Sequence, residues 1–559
     1  MFSEQATTRG LVYSGYDGSI SPWGFGVIFS DLDDVGDPDV VAVGRSDFVV
    51  GIFENDGSGN FIDRSLSSGI LPVDRQSAVV AGDYDGDALP DLYLVRYGQQ
   101  NRLYRNLGGF QFQLRPFAGV DDLGRGLGCC WGDYDGDGLL DIHVANHTGE
   151  GGSTEGNTLY RNLGDGTFLD VTALVGVTNS HFTFQSVFFD MDRDGDADLY
   201  VGNGKGPGGY VANNLYENVG AGVLVDRTGV SGTEAYIDSM GIGVGDLDGN
   251  GYPDLYCTNI PFGNPLFLNQ GNGTFVESSA TAGVAAFHFG WSAQFLDFDR
   301  DARLDLHVCN WSTTDLLYRN PGVLPCDQVA DAVGFGVGQL STVSSTADVD
   351  LDGDVDVLIV PSYGPLKLYI NEDPDPRNWL EVRLRSEACD NVHAVGATID
   401  VTAASVTQTR GVRAGEGYKG QNELVQHFGL DDSEVVDSIL VTWPGGATTT
   451  VLAVPANRRV TVTPTGIEMP EFVRGDANID GGVDIADVIQ TLGHLFFGLA
   501  VSCRVALDSN ADLEIDISDP VTVLAHLFTG GAALPPPFPG CGSDTGAALA
   551  LDCRRSNCP

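Results

Sequence analysis

Seven copies of one acidic loop, spaced almost evenly, constrain this chain more than any other feature of its sequence. The fullest copy runs Asp133-Tyr134-Asp135-Gly136-Asp137-Gly138-Leu139-Leu140-Asp141, with carboxylates at positions one, three, five and nine that can turn inward on one cation. Glycine at position six permits a tight turn, which lets the position-seven carbonyl join the side chains in an all-oxygen cage suited to Ca²⁺. Aligning on the first aspartate places starts at Asp31, Asp83, Asp133, Asp190, Asp246, Asp297 and Asp348, with steps of 52, 50, 57, 56, 51 and 51 residues. Asp and Gly also make ordinary turns, but chance turns keep no such period, and a period of this length signals a repeat architecture.

The expected cation ligands follow from the register. They are Asp31, Asp33 and Asp39 in the first loop; Asp83, Asp85, Asp87 and Asp91 in the second; and Asp133, Asp135, Asp137 and Asp141 in the third. The fourth loop offers Asp190, Asp192, Asp194 and Asp198, and the fifth Asp246, Asp248, Asn250 and Asp254. Asp297, Asp299, Asp301 and Asp305 form the sixth, and Asp348, Asp350, Asp352 and Asp356 the seventh. Val35 stands where a fifth-position oxygen is needed, so the first loop should bind most weakly or not at all. Ala88 and Ala302 replace the turn glycine, at about 1 kcal/mol each if they adopt the left-handed conformation.

Each loop is followed by a short alternating strand such as Leu92-Tyr93-Leu94-Val95, then by a second signature, as in Leu103-Tyr104-Arg105-Asn106 or Leu368-Tyr369-Ile370-Asn371. A Phe-x-acid strand such as Phe168-Leu169-Asp170 usually closes the unit, and a small-residue strand leads into each loop. Four strands per repeat is the content of a propeller blade. The seventh repeat lacks its closing strand, and Phe2-Ser3-Glu4 at the other end of the chain supplies the missing pattern, so the N-terminal segment is expected to complete the last blade and seal the ring.

These residues resemble the FG-GAP or VCBS repeats of integrin-α-type propellers, a resemblance that covers residues 1–375 and implies calcium in the loops. The expected fold is mainly β: a seven-bladed calcium-binding β-propeller over 1–375, a small β-rich domain over 376–464, a linker over 465–473, and a small α-helical module over 474–559.

The second segment carries Gly415-Glu416-Gly417-Tyr418-Lys419-Gly420-Gln421-Asn422, His427-Phe428-Gly429-Leu430 and Trp443-Pro444-Gly445-Gly446, which resemble the ASPIC/UnbV module that follows such repeats in the cartilage acidic protein family. The third holds two twelve-residue loops of EF-hand type, each opening into an apolar helix. Their ligands would be Asp476, Asn478, Asp480, Asp484 and Asp487, then Asp508, Asn510, Asp512, Asp516 and Asp519. This tandem resembles a type I dockerin, which implies a cohesin-like partner, although Ile485-Ala486 and Ile517-Ser518 replace the Ser-Thr pair usual at positions ten and eleven. Leu492, Leu495, Phe496, Leu524, Leu527 and Phe528 are expected to form a shared core between its helices. Cys503, Cys541, Cys553 and Cys558 are expected in disulfides, with three pairings open. Arg474-Gly475-Asp476 spells an adhesion tripeptide, discounted because Asp476 is already a loop ligand.

With 77 acidic against 29 basic residues and a net charge of −48, the surface repels nucleic acid and anionic membrane. No apolar run is long enough to span a membrane. No secretion signal is visible either, yet loops of this kind fill most readily in millimolar extracellular calcium, so a secreted or cell-surface protein whose leader is missing from this chain is expected.

Two function classes compete. One is a secreted, non-catalytic interaction protein carrying up to seven propeller calcium ions and two more in the dockerin-like module, with a protein or glycan ligand on the propeller. The other is a carbohydrate-active or other extracellular enzyme. The sequence holds no nucleophile elbow, zinc-protease pair or phosphate loop, which favours the first. The ligand face should lie opposite the loops, on segments entering the innermost strands and joining the second and third, which points to Trp23, Arg125, His181, Tyr236, Asp238, His288, Trp291 and Trp311. His143 and His307 fall at a repeat position held elsewhere by Tyr93, Tyr200 and Tyr256, and so are expected to be structural.

Overall fold

In the computed structural model the chain is mainly β, built from repeated four-stranded antiparallel sheets. It describes all residues except 15–24, 45–46, 148–155, 207, 261, 337–339, 387–388, 469–470, 498, 500, 502 and 544–559. The second repeat shows the pattern: Gln76–Gly82, Asp91–Arg96, Arg102–Asn106 and Phe112–Leu114 pair in chain order, with the acidic loop joining the first strand to the second. The sheet of the seventh repeat takes Ser341–Ala347, Asp356–Pro361 and Lys367–Asn371, and its fourth strand is Phe2–Glu4, in the register Phe2 to Asn371 and Glu4 to Tyr369. The expected closure by the N-terminal segment is therefore present.

The first strand of each repeat packs against the first strands of its neighbours, and Ser341–Ala347 of the seventh repeat lies against Gly26–Ser30 of the first. That cyclic order is consistent with a β-propeller. Small residues recur in these strands, as in Gly126–Gly132 and Ser341–Ala347, where neighbouring backbones approach closely. At Gly128 a Cβ would fall 2.0 Å from the Gln185 side chain of the next repeat. Farther out, apolar side chains interlock between successive sheets, as where Ile28, Val41 and Ile52 meet Val79, Leu92 and Leu94. Each such residue, fully buried, contributes about 1.5–3 kcal/mol.

Residues 378–467 form a sandwich. One sheet orders Gln426–Asp431, Asn378–Leu384, Arg458–Thr463 and Gly466–Ile467; the other orders Val406–Gly411, Thr398–Ala403, Val435–Thr442 and Thr448–Pro455. Leu380, Val382, Ile399, Val401, Phe428 and Ile439 fill the space between them. Gly466–Ile467, expected in the linker, is thus an edge strand, and Glu471–Phe472 pairs with Gly542–Ser543.

In the C-terminal module, helices Ile485–Phe497 and Ser518–Thr529 pack on each other. Their shared core is Val488, Val523 and Leu534, with Leu492, Leu524, Leu527 and Phe538 around it. Phe496 and Phe528, expected inside, are 66% and 69% exposed, because Leu534 and Phe538 close the core over the earlier turns and leave the last turns uncovered. Cys503 and Cys541 are disulfide-bonded, whereas Cys553 and Cys558 lie outside the described residues.

Candidate cation loops and the domain that caps them

Every acidic loop of the repeated sheets is wound around its first and ninth aspartates. One oxygen of the first accepts the backbone N–H of position six, as from Gly36, Ala88, Gly138 or Gly353, while the other accepts that of position five. The ninth ties the loop to its sheet: Asp91 accepts from the Tyr84 N–H at 3.2 Å and from the Asn106 N–H at 2.7 Å. Position six is left-handed in all seven loops, with Ala88 at φ +70° and Ala302 at +69°, so the two alanines bear the strain that glycine avoids.

The carboxylates converge. Asp83, Asp85 and Asp91 bring ligand oxygens within 4.8 Å of one another, as do Asp31, Asp33 and Asp39; Asp133, Asp135 and Asp141; and Asp190, Asp192 and Asp194. Two carboxylates about 4 Å apart repel by roughly 4 kcal/mol at an effective dielectric of 20. Burial above all, with neighbouring carboxylates adding to it, pushes Asp83 up to about 7 and Asp133, Asp190 and Asp246 up to about 6. At the third position, Oδ1 of Asp85, Asp135, Asp299 and Asp350 is buried with no hydrogen-bond partner. An all-oxygen donor set with inward-facing, unsatisfied carboxylate oxygens fits a hard divalent cation such as Ca²⁺.

In other loops arginines pair with third- or fifth-position aspartates, as Arg105 does with Asp85 and Asp87 and Arg161 with Asp135 and Asp137; the first loop differs in that a guanidinium reaches its first-position aspartate. The guanidinium of Arg383, from the second domain, lies 3.2 Å from Asp31 and also pairs with Asp34, which Arg385 meets at 2.7 Å. Fixed positive charge thus accompanies the loss of the fifth-position oxygen at Val35.

The second signature does work that sequence reasoning missed. Its terminal asparagine donates from Nδ2 to the carbonyl at position eight of its own loop and to the carbonyl at position two of the preceding loop. Asn162 reaches Leu140 and Tyr84 in this way, Asn218 reaches Ala197 and Tyr134, and Asn320 reaches Leu304 and Leu247. The signal was the recurrence of Asn at the end of all seven copies.

The second domain sits on the loops. His393 Nε2 donates to the carbonyl of Ala88, Asn391 N to Gly138, Gly445 N to Gly195, His427 Nε2 to Gly353, and Arg459 to Gly36. All five acceptors are sixth-position residues, so the domain holds the turn of five loops at one backbone atom. From it a segment runs onto the innermost strands. Trp131 N donates to Ala414, Gly417 exchanges two 2.8 Å bonds with Ile242, and Gly420–Gln421 pairs with Val27 and Ile28. Asn422 reaches Thr346 and Gln294. Gly417 sits at φ +67°, and a Cβ there would come within 2.4 Å of Gln294. Lys419 is fully buried in this plug, its Nζ without a hydrogen-bond partner, and desolvation lowers its pKa far below the ordinary value.

Of the expected ligand-face residues, Trp291 is buried, packed 5.1 Å from the Tyr418 ring, because the plug fills the space its side chain enters. His181, Tyr236 and His288 are exposed. Arg125 lies over Tyr97, Asp238 accepts from the Lys205 N–H, and Trp311 stacks on Phe289, all three partly buried. By chain direction all lie at the sheet ends opposite the acidic loops. Trp23 falls outside the described residues.

The C-terminal loops share the winding. Gly481 and Leu513 at position six donate to Asp476 and Asp508, and Asp487 and Asp519 at position twelve accept from backbone N–H groups of their loops. Leu513 takes φ +72°. Arg474 is fully buried with Nη1 3.5 Å from Asp508, so the adhesion tripeptide is not displayed.

Comparison with known proteins finds family matches in two parts of the chain. The FG-GAP-like repeat model matches residues 31–94, 83–144 and 133–201, and the ASPIC and UnbV model matches 388–468. Cartilage acidic protein 1 of Mus musculus is 26% identical over 531 residues, covering 79% of this chain and 73% of that protein; the Homo sapiens protein is 24% identical, covering 79% and 72%. Among solved structures, Saccharomyces cerevisiae Sqt1 aligns with TM-score 0.40 and 11% identity over 65% of this chain and 98% of that one. A lectin from Burkholderia pseudomallei aligns with TM-score 0.43 and 10% identity over 63% and 97%. This chain therefore carries FG-GAP-like repeats followed by an ASPIC and UnbV domain, and over most of its length it is similar to cartilage acidic protein 1.

Proposed function

We propose that the chain is a secreted, calcium-binding, non-catalytic interaction protein: a seven-bladed propeller, stiffened by calcium and capped by its ASPIC and UnbV domain, that presents its opposite rim to a protein ligand. The observation that carries this reading is the buried, partnerless Oδ1 of Asp85, Asp135, Asp299 and Asp350, one repeat position left unsatisfied four times over. Buried polar atoms normally find partners, and a cation in each of these loops would supply one. The cap occupies the loop side, which leaves the rim bearing His181, Tyr236 and His288 as the surface open to a partner. Similarity to a protein named for cartilage and the disulfide-bonded Cys503 and Cys541 support an extracellular setting.

Against an enzyme stands the state of the carboxylates in the cleft beneath the cap. Glu381 and Glu423 hold Arg459 at 2.8 and 3.4 Å, and Glu416 holds Arg413 at 2.8 Å, so each is engaged in an ion pair. The terminal module, with its two further acidic loops, serves in this reading as a calcium-dependent tether. A calcium titration followed by thermal melting tests the scaffold, and a binding screen on the calcium-loaded chain tests the rim. Saturable ligand binding without turnover supports the proposal, whereas glycan cleavage would replace it with the enzymatic reading.

A further inference from the structure

A second cluster of metal-ligating groups lies inside the sixth sheet, away from the acidic loops. His307 and Cys309, both on strand Asp305–Asn310, and Asp315, just before strand Leu316–Arg319, bring ligand atoms within 4.8 Å of one another, and none of the three is exposed. Neither ring nitrogen of His307 has a hydrogen-bond partner, and Oδ2 of Asp315, 3.9 Å from His307 Nε2, has none either.

The other repeats show what normally occupies this place. Tyr93, Tyr200 and Tyr256 stand where His307 stands, and each hydroxyl meets the side chain of Asn101, Asn213 or Asn264 at 3.0–3.1 Å. Those asparagines occupy the place of Asp315, since each accepts the backbone N–H that ends the second strand, as Asp315 accepts that of Asn310 at 2.9 Å. The third repeat also has a histidine, His143, but its Nδ1 lies 2.7 Å from Ser186 Oγ, and its partner position is the uncharged Asn157. Only in the sixth repeat, among the described residues, does a shorter imidazole face an acid with a thiol beside both. Hydrogen bonds anchor the far side of that acid, to Asn310 N and Ser341 Oγ, so its free oxygen stays turned toward the histidine.

We propose that His307, Cys309 and Asp315 form a buried site for a borderline-soft divalent cation, with zinc the ion whose chemistry fits. Nitrogen, sulfur and oxygen donors from three residues are a zinc set and a poor calcium set. The hydroxyls of Ser341 and Ser344, beside the Cys309 thiol, lie where a fourth ligand or a bound water would be held. Binding converts the thiol to a thiolate and releases its proton to solvent, and because the three side chains are inaccessible, the ion loads as the chain folds.

The test uses the full chain produced with added zinc, or with cobalt in its place, and kept in excess calcium so that the acidic loops do not compete. Expected are about one zinc per chain by elemental analysis and, with cobalt, a sulfur-to-metal charge-transfer band. Cys309→Ser should abolish the band and lower zinc about tenfold. The double variant His307→Tyr with Asp315→Asn installs the pair found in repeats two, four and five, so it should fold and take up neither metal. Folded wild-type protein with less than about a tenth of a zinc per chain and no band would overturn the proposal, as would a band that survives Cys309→Ser.

Discussion

Asn55 and Val349 stand 294 positions apart in the chain, yet Asn55 Nδ2 donates a 2.8 Å hydrogen bond to the Val349 carbonyl. The bond ties the first repeat to the acidic loop of the seventh, at the seam that Phe2–Glu4 also bridges. The same contact recurs between consecutive repeats, so the loops and the joints between sheets form one connected structure. Disturbing either disturbs the other.

Removing one such side chain leaves two buried carbonyls unpaired. Asn162→Ala, which frees the carbonyls of Tyr84 and Leu140, should destabilise the chain by about 2–3 kcal/mol in urea melts with calcium present. Asn162→Asp should fare no better, because a carboxylate cannot donate to either acceptor.

Calcium should raise the melting temperature and a chelator lower it, but unevenly among loops. Asp299→Ala should lower the bound calcium by about one ion per chain by equilibrium dialysis, since it removes a central oxygen donor. Asp33→Ala should leave the count unchanged, because Val35 deprives that loop of a ligand and Arg383 pairs with its first-position Asp31.

Lys419 should be replaceable with gain. Its pKa is lowered by desolvation, so at neutral pH folding must either bury a charge or strip its proton, and that penalty grows as pH falls below the ordinary lysine value. Lys419→Met keeps the volume of the plug and should stabilise the chain by at least about 1 kcal/mol at pH 7, measured by denaturant melts.

Acid should loosen the cap. Burial lowers His393 and His427 to about 4, each while its Nε2 donates to a loop carbonyl. A folded pKa below the unfolded value near 6.5 means that the stabilisation is complete above about pH 6.5 and is lost as pH falls toward 4. In saturating calcium, lowering pH from 7.5 to 5 should cost the wild type on the order of 2–4 kcal/mol more than the variant His393→Gln with His427→Gln, whose amides still donate.

Local pattern was enough to expose the repeat, the ring-closing role of Phe2–Glu4, the positions of nine acidic loops and the β content of the second domain. Each depends on residues close together in the chain, where spacing and turn chemistry act directly: an aspartate at position one finds the N–H of position six wherever the segment lies. That the first loop lacks a fifth-position side-chain oxygen was legible too, from Val35 alone. What required the folded chain is contact between distant surfaces. Nothing in the periodicity of residues 376–464 says that they cover five loops at one carbonyl each, that Tyr418 buries Trp291, or that Arg383 joins the first loop. His307 likewise looks structural by position, and it is the absence of a hydrogen bond to Asp315, 3.9 Å away, that separates this pair from the Tyr–Asn pairs of the sister repeats. Sequence pattern specifies each sheet because its hydrogen bonds and alternation are short-range; the cap, the plug and the buried triad are set by which surfaces meet once those sheets have closed.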